Sequence, residues 1–167
     1  AVCNLASINL SKINKKEDIE RVVPIAVRML DNVIDLNFYP HKKVKHTNLA
    51  SRSIGLGVMG EAQMLAERGV KWGSYEHLAL IDSVMENISY NVIYASSNLA
   101  VEKGVYPLFE GSKWSRGVMP IDTANANAKA LLNDRGGLFD ENACDWSKLR
   151  EKVKKDGMRN GYLMAIA

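Results

Sequence analysis

Apolar side chains return every third or fourth position at Ile19, Val22, Val23, Ala26, Met29, Leu30, Val33 and Leu36. That spacing predicts one buried face of a helix. Asn14 followed by Glu17 supplies a capping-box start, and Pro24 predicts either a kink or a start close to it. A longer stripe of the same period runs through Leu78, Ile81, Met85, Ile88, Val92, Ala95 and Leu99, with Ser74 as its cap and Gly104 as its stop. Shorter helices are predicted through Ala62, Leu65 and Ala66, from Thr123 to Leu132, and from Asp145 through Leu149 and Val153 to Gly157. Residues 2–10, 53–58 and 161–166 are short apolar runs between turn signals and predict strands, and residues 118–121 predict a further extended piece. Residues 39–51 are polar and basic and predict a loop, and residues 105–117 an irregular stretch. Arg135-Gly136-Gly137 reads as a turn. Strands separated by helices define an α/β fold with largely parallel strands.

Composition narrows the class. The 167 residues are 47% hydrophobic and 25% charged with a net charge of +3, as in one soluble domain. No apolar run approaches the roughly 18 residues of a membrane helix, and the first residues do not form a secretory signal. Two cysteines are too few for a disulfide scaffold, so a reducing cytoplasm is expected. Lys42, Lys43, Lys45 and His46 form the one dense basic cluster; without interleaved aromatic residues it reads as a solvated loop rather than a nucleic-acid contact. Ala1 in place of Met and the apolar run from Tyr162 to Ala167 lead us to expect a fragment, cut at both ends through buried strands.

Each constellation with chemical potential has a plainer counterpart. Gly55-Leu56-Gly57-Val58-Met59-Gly60 has the G-x-G-x-x-G spacing of a dinucleotide turn. The acidic residue expected about 20 positions on would be Asp82, which falls inside a predicted helix rather than at a strand end. The glycines then serve a tight strand-to-helix turn. His41 and His46 lie in a basic stretch and His77 in the first turn of a helix, so they read as structural or solvated rather than as metal ligands. Glu17, Asp18, Glu20, Asp140 and Glu141 read as helix-start or loop carboxylates, and no carboxylate pair in apolar surroundings suggests acid–base work. Cys3, from its neighbours alone, is a small hydrophobe buried in a strand. Cys144, among Asp140, Glu141 and Asp145, is expected to have a raised pKa and to be inert.

Five strings, in order, change this weighting: Cys3-Asn4-Leu5-Ala6-Ser7-Ile8-Asn9-Leu10; Ala26-Val27-Arg28-Met29-Leu30-Asp31-Asn32-Val33-Ile34-Asp35; Gly55 to Gly60; Trp114-Ser115-Arg116-Gly117-Val118-Met119-Pro120-Ile121-Asp122; and Met158-Arg159-Asn160 leading into Leu163-Met164-Ala165-Ile166-Ala167. Together they resemble the large, catalytic subunit of ribonucleotide reductases over nearly the whole chain. The resemblance implies that residues 1–167 are a partial catalytic barrel domain, a helix-rich piece of a ten-stranded α/β barrel. It implies reduction of ribonucleoside diphosphates by a radical made elsewhere and passed to a barrel cysteine. Two further cysteines supply the electrons and become a disulfide, which thioredoxin or glutaredoxin reduces through a C-terminal cysteine pair. By position Cys3 resembles one of the two reductants.

The resemblance places the radical-bearing cysteine and the disulfide partner of Cys3 upstream of Ala1, and the phosphate-binding loop just after Ala167. Effector sites and the radical path lie outside as well. It thus implies no cofactor within this chain, a radical-generating metal centre in a separate small subunit, and partners comprising the remainder of the large subunit, that small subunit, thioredoxin or glutaredoxin and the ribonucleotide. No membrane and no direct nucleic-acid contact is expected, and the isolated piece should be inactive. The helix-rich middle favours class I. The alternatives are a cobalamin-dependent reductase fragment, one product of a split gene, and a non-catalytic α/β scaffold, which expects Cys3 to be buried.

Overall fold

The computed structural model describes residues 1–123 and 144–166. Strand β1 (Leu5–Asn9) passes through a 3-10 turn (Leu10–Lys12) into helix α1 (Lys16–Leu36), then α2 (Lys42–Ser51), strand β2 (Gly55–Met59), α3 (Glu61–Glu67) and the long α4 (Tyr75–Lys103); a second 3-10 turn (Pro120–Thr123) and α5 (Trp146–Asp156) follow. β1 and β2 are parallel, in register from Leu5 opposite Gly55 to Asn9 opposite Met59. Parallel neighbours require a crossover, and α1 with α2 provides it.

The helix ends follow local chemistry. At α1 the box is one residue beyond the Asn14–Glu17 reading: Lys15 is the N-cap, and Asp18 Oδ2 accepts from the N–H groups of Asn14 and Lys15 at 3.1 and 3.3 Å. Those two bonds, with Arg21 and Lys15 nearby, hold the Asp18 carboxyl below its ordinary range. Ser74 accepts from the His77 N–H at the start of α4, Asp145 accepts from the Lys148 N–H at the start of α5, and Gly104 and Gly157 end these helices, all at the expected positions. Pro24 lies inside α1, eight residues past its first, so it does not mark the start.

The buried face of α1 is Ile19, Val23, Val27, Leu30, Asp31 and Ile34. It is rotated from the expected stripe: Met29, Val33 and Leu36 point outward. α1 lies against α4, and α4 in turn against α5. The C-terminal half of α4 is therefore buried on most of its circumference, with Ile88, Val92, Ile93, Ala95 and Leu99 in the core beside Leu149 and Val153 of α5.

Three expectations are corrected. Residues 39–51 are not a loop, because 42–51 form α2: His41 Nδ1 accepts from the Lys43 N–H, and Arg52 closes the helix in the left-handed conformation at φ 44°. α2 buries Asn48 alone, so no apolar stripe marked it. Residues 118–121 do not extend but enter the 3-10 turn, where Asp122 Oδ2 accepts from the Met119 N–H at 2.8 Å. Residues 161–166 make one parallel bridge, Met164 to Leu56, rather than a full strand, with the Ile54 and Leu56 N–H groups donating to the Tyr162 and Leu163 carbonyls. The predicted helix from Thr123 and the turn at Arg135-Gly136-Gly137 fall outside the described residues beyond Thr123.

Candidate functional site

Cys3 stands two residues before β1 and is exposed, not buried as its apolar neighbours suggested. The backbone on either side of it is held. The Val2 N–H donates to Asn48 Oδ1 at 3.0 Å, and Asn48 Nδ2 donates to the Val2 carbonyl at 3.1 Å. On the other side Asn4 Nδ2 donates to the Leu30 carbonyl of α1 at 2.7 Å, and the Gly55 N–H of β2 donates to the Asn4 carbonyl at 2.9 Å. A free thiol thus rides on a short stretch of chain tied to α1, α2 and β2.

Beneath this stretch lies a group of charges that the linear pattern did not reveal. Asp31 on α1 is fully buried, and Arg52 nearly so. Arg52 places Nε and Nη2 on Asp31 Oδ1 at 3.0 and 2.8 Å, and Nη1 and Nη2 on the two oxygens of Asp35 at 2.8 and 2.9 Å. Asp31 Oδ2 faces Arg159 Nε at 3.3 Å and Lys103 Nζ at 3.6 Å. Asn160 Nδ2 donates to Asp31 Oδ1 and to the Arg52 carbonyl, while the Asn160 N–H and Oδ1 engage the Ser96 hydroxyl. Burial opposes the Arg52 charge, but the hydrogen bonds it donates to Asp35 and Asp31 outweigh it and raise its pKa. The same bond to Arg52 holds Asp35 below the usual carboxylate range. Left-handed backbone costs a non-glycine residue roughly 1–2 kcal/mol. Arg52 adopts it because its guanidinium is fixed from two sides.

This cluster joins α1, the end of α2, the end of α4 and the segment after α5. Asp31, Asp35, Arg52 and Arg159 each look like a solvated charge in the sequence. The available signal was that Asp31, Asp35, Arg159 and Asn160 all lie inside the strings that carried the resemblance.

Cys144 differs from Cys3 throughout. It is half-buried, its Sγ lies 3.7 Å from Asn87 Oδ1, and its pKa is pushed up to about 11, first by burial and then by Glu86. The expected direction holds, but the leading cause is burial rather than adjacent acids. The histidines also separate. His41 caps α2, and His77 is buried, accepting from the Gly73 N–H at Nδ1 and facing Glu61 Oε1 at 2.7 Å through Nε2. The first bond fixes the proton on Nε2 and makes it the donor to Glu61. Among the described residues no three His, Cys, Asp or Glu side chains converge as metal ligands. No helix among them is long and apolar enough to cross a membrane.

The glycine-rich string is a strand turning into a helix. Gly60 sits at φ 76° as the N-cap of α3, and a Cβ there would overlap Asn9 Oδ1. Gly55 lies so close to Leu5 and Ala165 that any side chain would collide with both. A cavity of about 750 Å³ opens between α4, Trp114, Met119 and residues 161–164, but neither cysteine lines it.

The described residues define a helix-rich α/β piece, two parallel strands joined by a helical crossover, with an exposed thiol on a tied strand entrance. A family model described as the barrel domain of ribonucleotide reductase matches residues 1–167, and the chain belongs to that family. It is 70% identical over 167 residues to the ribonucleoside-diphosphate reductase subunit alpha of Helicobacter pylori, covering 100% of this chain and 21% of that protein. The subunits alpha of Chlamydia pneumoniae and Treponema pallidum are each 45% identical, covering 100% and 99% of this chain and 16% and 18% of theirs. The chain spans about a fifth of the length of these relatives. The structure describes a helix-rich α/β piece with a small parallel sheet.

Proposed function

We propose that this chain is a wall segment of the catalytic barrel of a ribonucleoside-diphosphate reductase large subunit, and that Cys3 is one of its two reducing cysteines. The observation that carries the reading is the exposed Cys3 thiol, held on a fixed backbone at the entrance of β1. In this reaction the Cys3 thiol and a second thiol outside this chain each give up one proton and one electron. One S–S bond forms, the ribonucleotide loses a hydroxyl as water, and the deoxyribonucleotide carries the replacing hydrogen. A dithiol is suited to the task because a single disulfide stores both electrons and a further thiol pair can retrieve them. Thioredoxin or glutaredoxin returns the electrons through the C-terminal cysteine pair of the full subunit.

In this reading the enzyme is of class I and works in the cytoplasm, and a separate small subunit carrying a metal centre would supply the starting radical. Effector nucleotides bind elsewhere on the large subunit. What this chain contributes is one sulfur and the means of holding it still.

The test is thioredoxin-supported turnover of the full-length large subunit with its small subunit, with Cys3 intact or replaced in Cys3→Ser. Turnover is expected to fall by about 10³-fold or more with the subunits still associated. Unchanged turnover in Cys3→Ser would leave this segment as scaffold.

A further inference from the structure

We infer that Asn48 is a positioning residue for the Cys3 thiol, an inference that rests on the redox reading of Cys3. α2 has no apolar face and buries Asn48 alone. That side chain is spent entirely on one neighbour: its carbonyl accepts from the Val2 N–H and its amide donates to the Val2 carbonyl. Among side chains in their ordinary state at neutral pH, Asn and Gln are the ones whose adjacent acceptor and donor can satisfy both backbone groups of one residue. The Val2 backbone is thereby paired as in a sheet, although Val2 precedes the strand and has no strand partner there.

The amide can act as a clamp because α2 itself is anchored. Arg52 lies one helical turn beyond Asn48, and its N–H donates to the Asn48 carbonyl at 2.9 Å. The Arg52 guanidinium is locked on Asp31 and Asp35 of α1. A line of fixed contacts thus runs from the buried Asp31 through Arg52 and Asn48 to Val2, one residue from the thiol. Asn4 holds the other side, so Cys3 cannot swing about the strand entrance.

Disulfide formation needs this restraint. The two sulfurs must meet with Cα atoms roughly 4.4–6.8 Å apart and a Cβ–S–S–Cβ dihedral near a right angle. A small misplacement of a reacting group can cost up to about 10²-fold in rate. Asn48 supplies orientation while touching neither the thiol nor the nucleotide.

The experiment uses the full-length large subunit with its small subunit, comparing wild type, Cys3→Ser, Asn48→Ala, Asn48→Asp and Thr47→Ala. Thr47 is a control on the exposed side of α2. Three rates are read: single-turnover formation of the Cys3 disulfide, steady-state kcat and KM for the nucleotide, and exchange of Cys3 with cystamine as an external disulfide. Asn48→Ala is expected to slow internal disulfide formation and kcat by about tenfold, to leave KM within about twofold, and to leave cystamine exchange equal or faster. Asn48→Asp keeps the acceptor for the Val2 N–H and is expected to lose about threefold. Thr47→Ala should match wild type. If Asn48→Ala fails to fold, the Asp variant decides by the same three rates.

Wild-type kcat and internal oxidation in the Asn48 variants, with Cys3→Ser inactive, would overturn the inference and leave the redox reading standing. A fall of internal oxidation and cystamine exchange together, with KM rising, would make Asn48 merely structural and would also overturn it. Activity in Cys3→Ser would remove the redox reading itself, and the positioning role with it.

Discussion

The two cysteines occupy opposite kinds of surroundings. Around Cys3 the backbone is fixed by four hydrogen bonds to three elements while the thiol is open. Around Cys144 the thiol itself is half-buried and faces Asn87, with Glu86 adding negative potential. Reactivity in a thiol needs access and thiolate character, and rigidity is useful only if it spares both. The first region restrains the chain and leaves the sulfur free. The second restrains the sulfur.

The widest separation should appear in alkylation. With a pKa of about 11, Cys144 is only about one part in 10³ thiolate at pH 8. Its labelling by iodoacetamide in the full-length protein should rise about tenfold per pH unit toward pH 11, because the reactive anion gains with each unit until the raised pKa is reached. Cys3 should be labelled first at pH 8, as read by peptide mass analysis, and Cys144 reacting as fast would erase the contrast.

Next in size is the support beneath Cys3. Asp31→Asn removes the charge that answers Arg52, Arg159 and Lys103. Breaking a buried pair from one side costs about 3–5 kcal/mol. Denaturant titration should show that loss, with the order of cysteine labelling disturbed at Cys3 and kept at Cys144. A loss under 1 kcal/mol would mean the cluster is not holding this end of the fold together.

The smallest effect is expected at Glu86→Gln. It removes a nearby negative charge that raises the Cys144 pKa while keeping an oxygen for the Trp146 Nε1–H, now at 2.8 Å. The Cys144 pKa should move down and its labelling rate near pH 9 should increase by about threefold, without change at Cys3. No change at Cys144 would assign its inertness to burial alone.

How much of this could be read from the chain depends on whether the signal is local. Ser74, Asp145, Gly104 and Gly157 mark helix ends because a cap acts within one turn of itself. β1 and β2 were legible as short apolar runs, and Gly60 as the turn between β2 and α3. α2 was not, since a helix whose one buried residue is Asn48 has no apolar period to detect. The ion cluster was invisible for another reason: Asp31 and Arg159 are separated by 128 positions, and only the tertiary fold reveals that both are dry. Family strings located Cys3, but its exposure and the role of Asn48 come from long-range contacts.

That separation also sets a clock on synthesis. Asp31 and Arg52 are only 21 residues apart, yet Asn160, which also donates to the Arg52 carbonyl, follows Arg52 by 108 residues. At ordinary elongation rates of about 5–20 residues per second this is a delay of roughly 5–22 s. During it the Asp31 carboxylate lacks its Arg159 and Asn160 partners, so its burial is not yet fully compensated. A nascent chain stalled before Asn160 should therefore be more open to proteases at this junction than one extended past it.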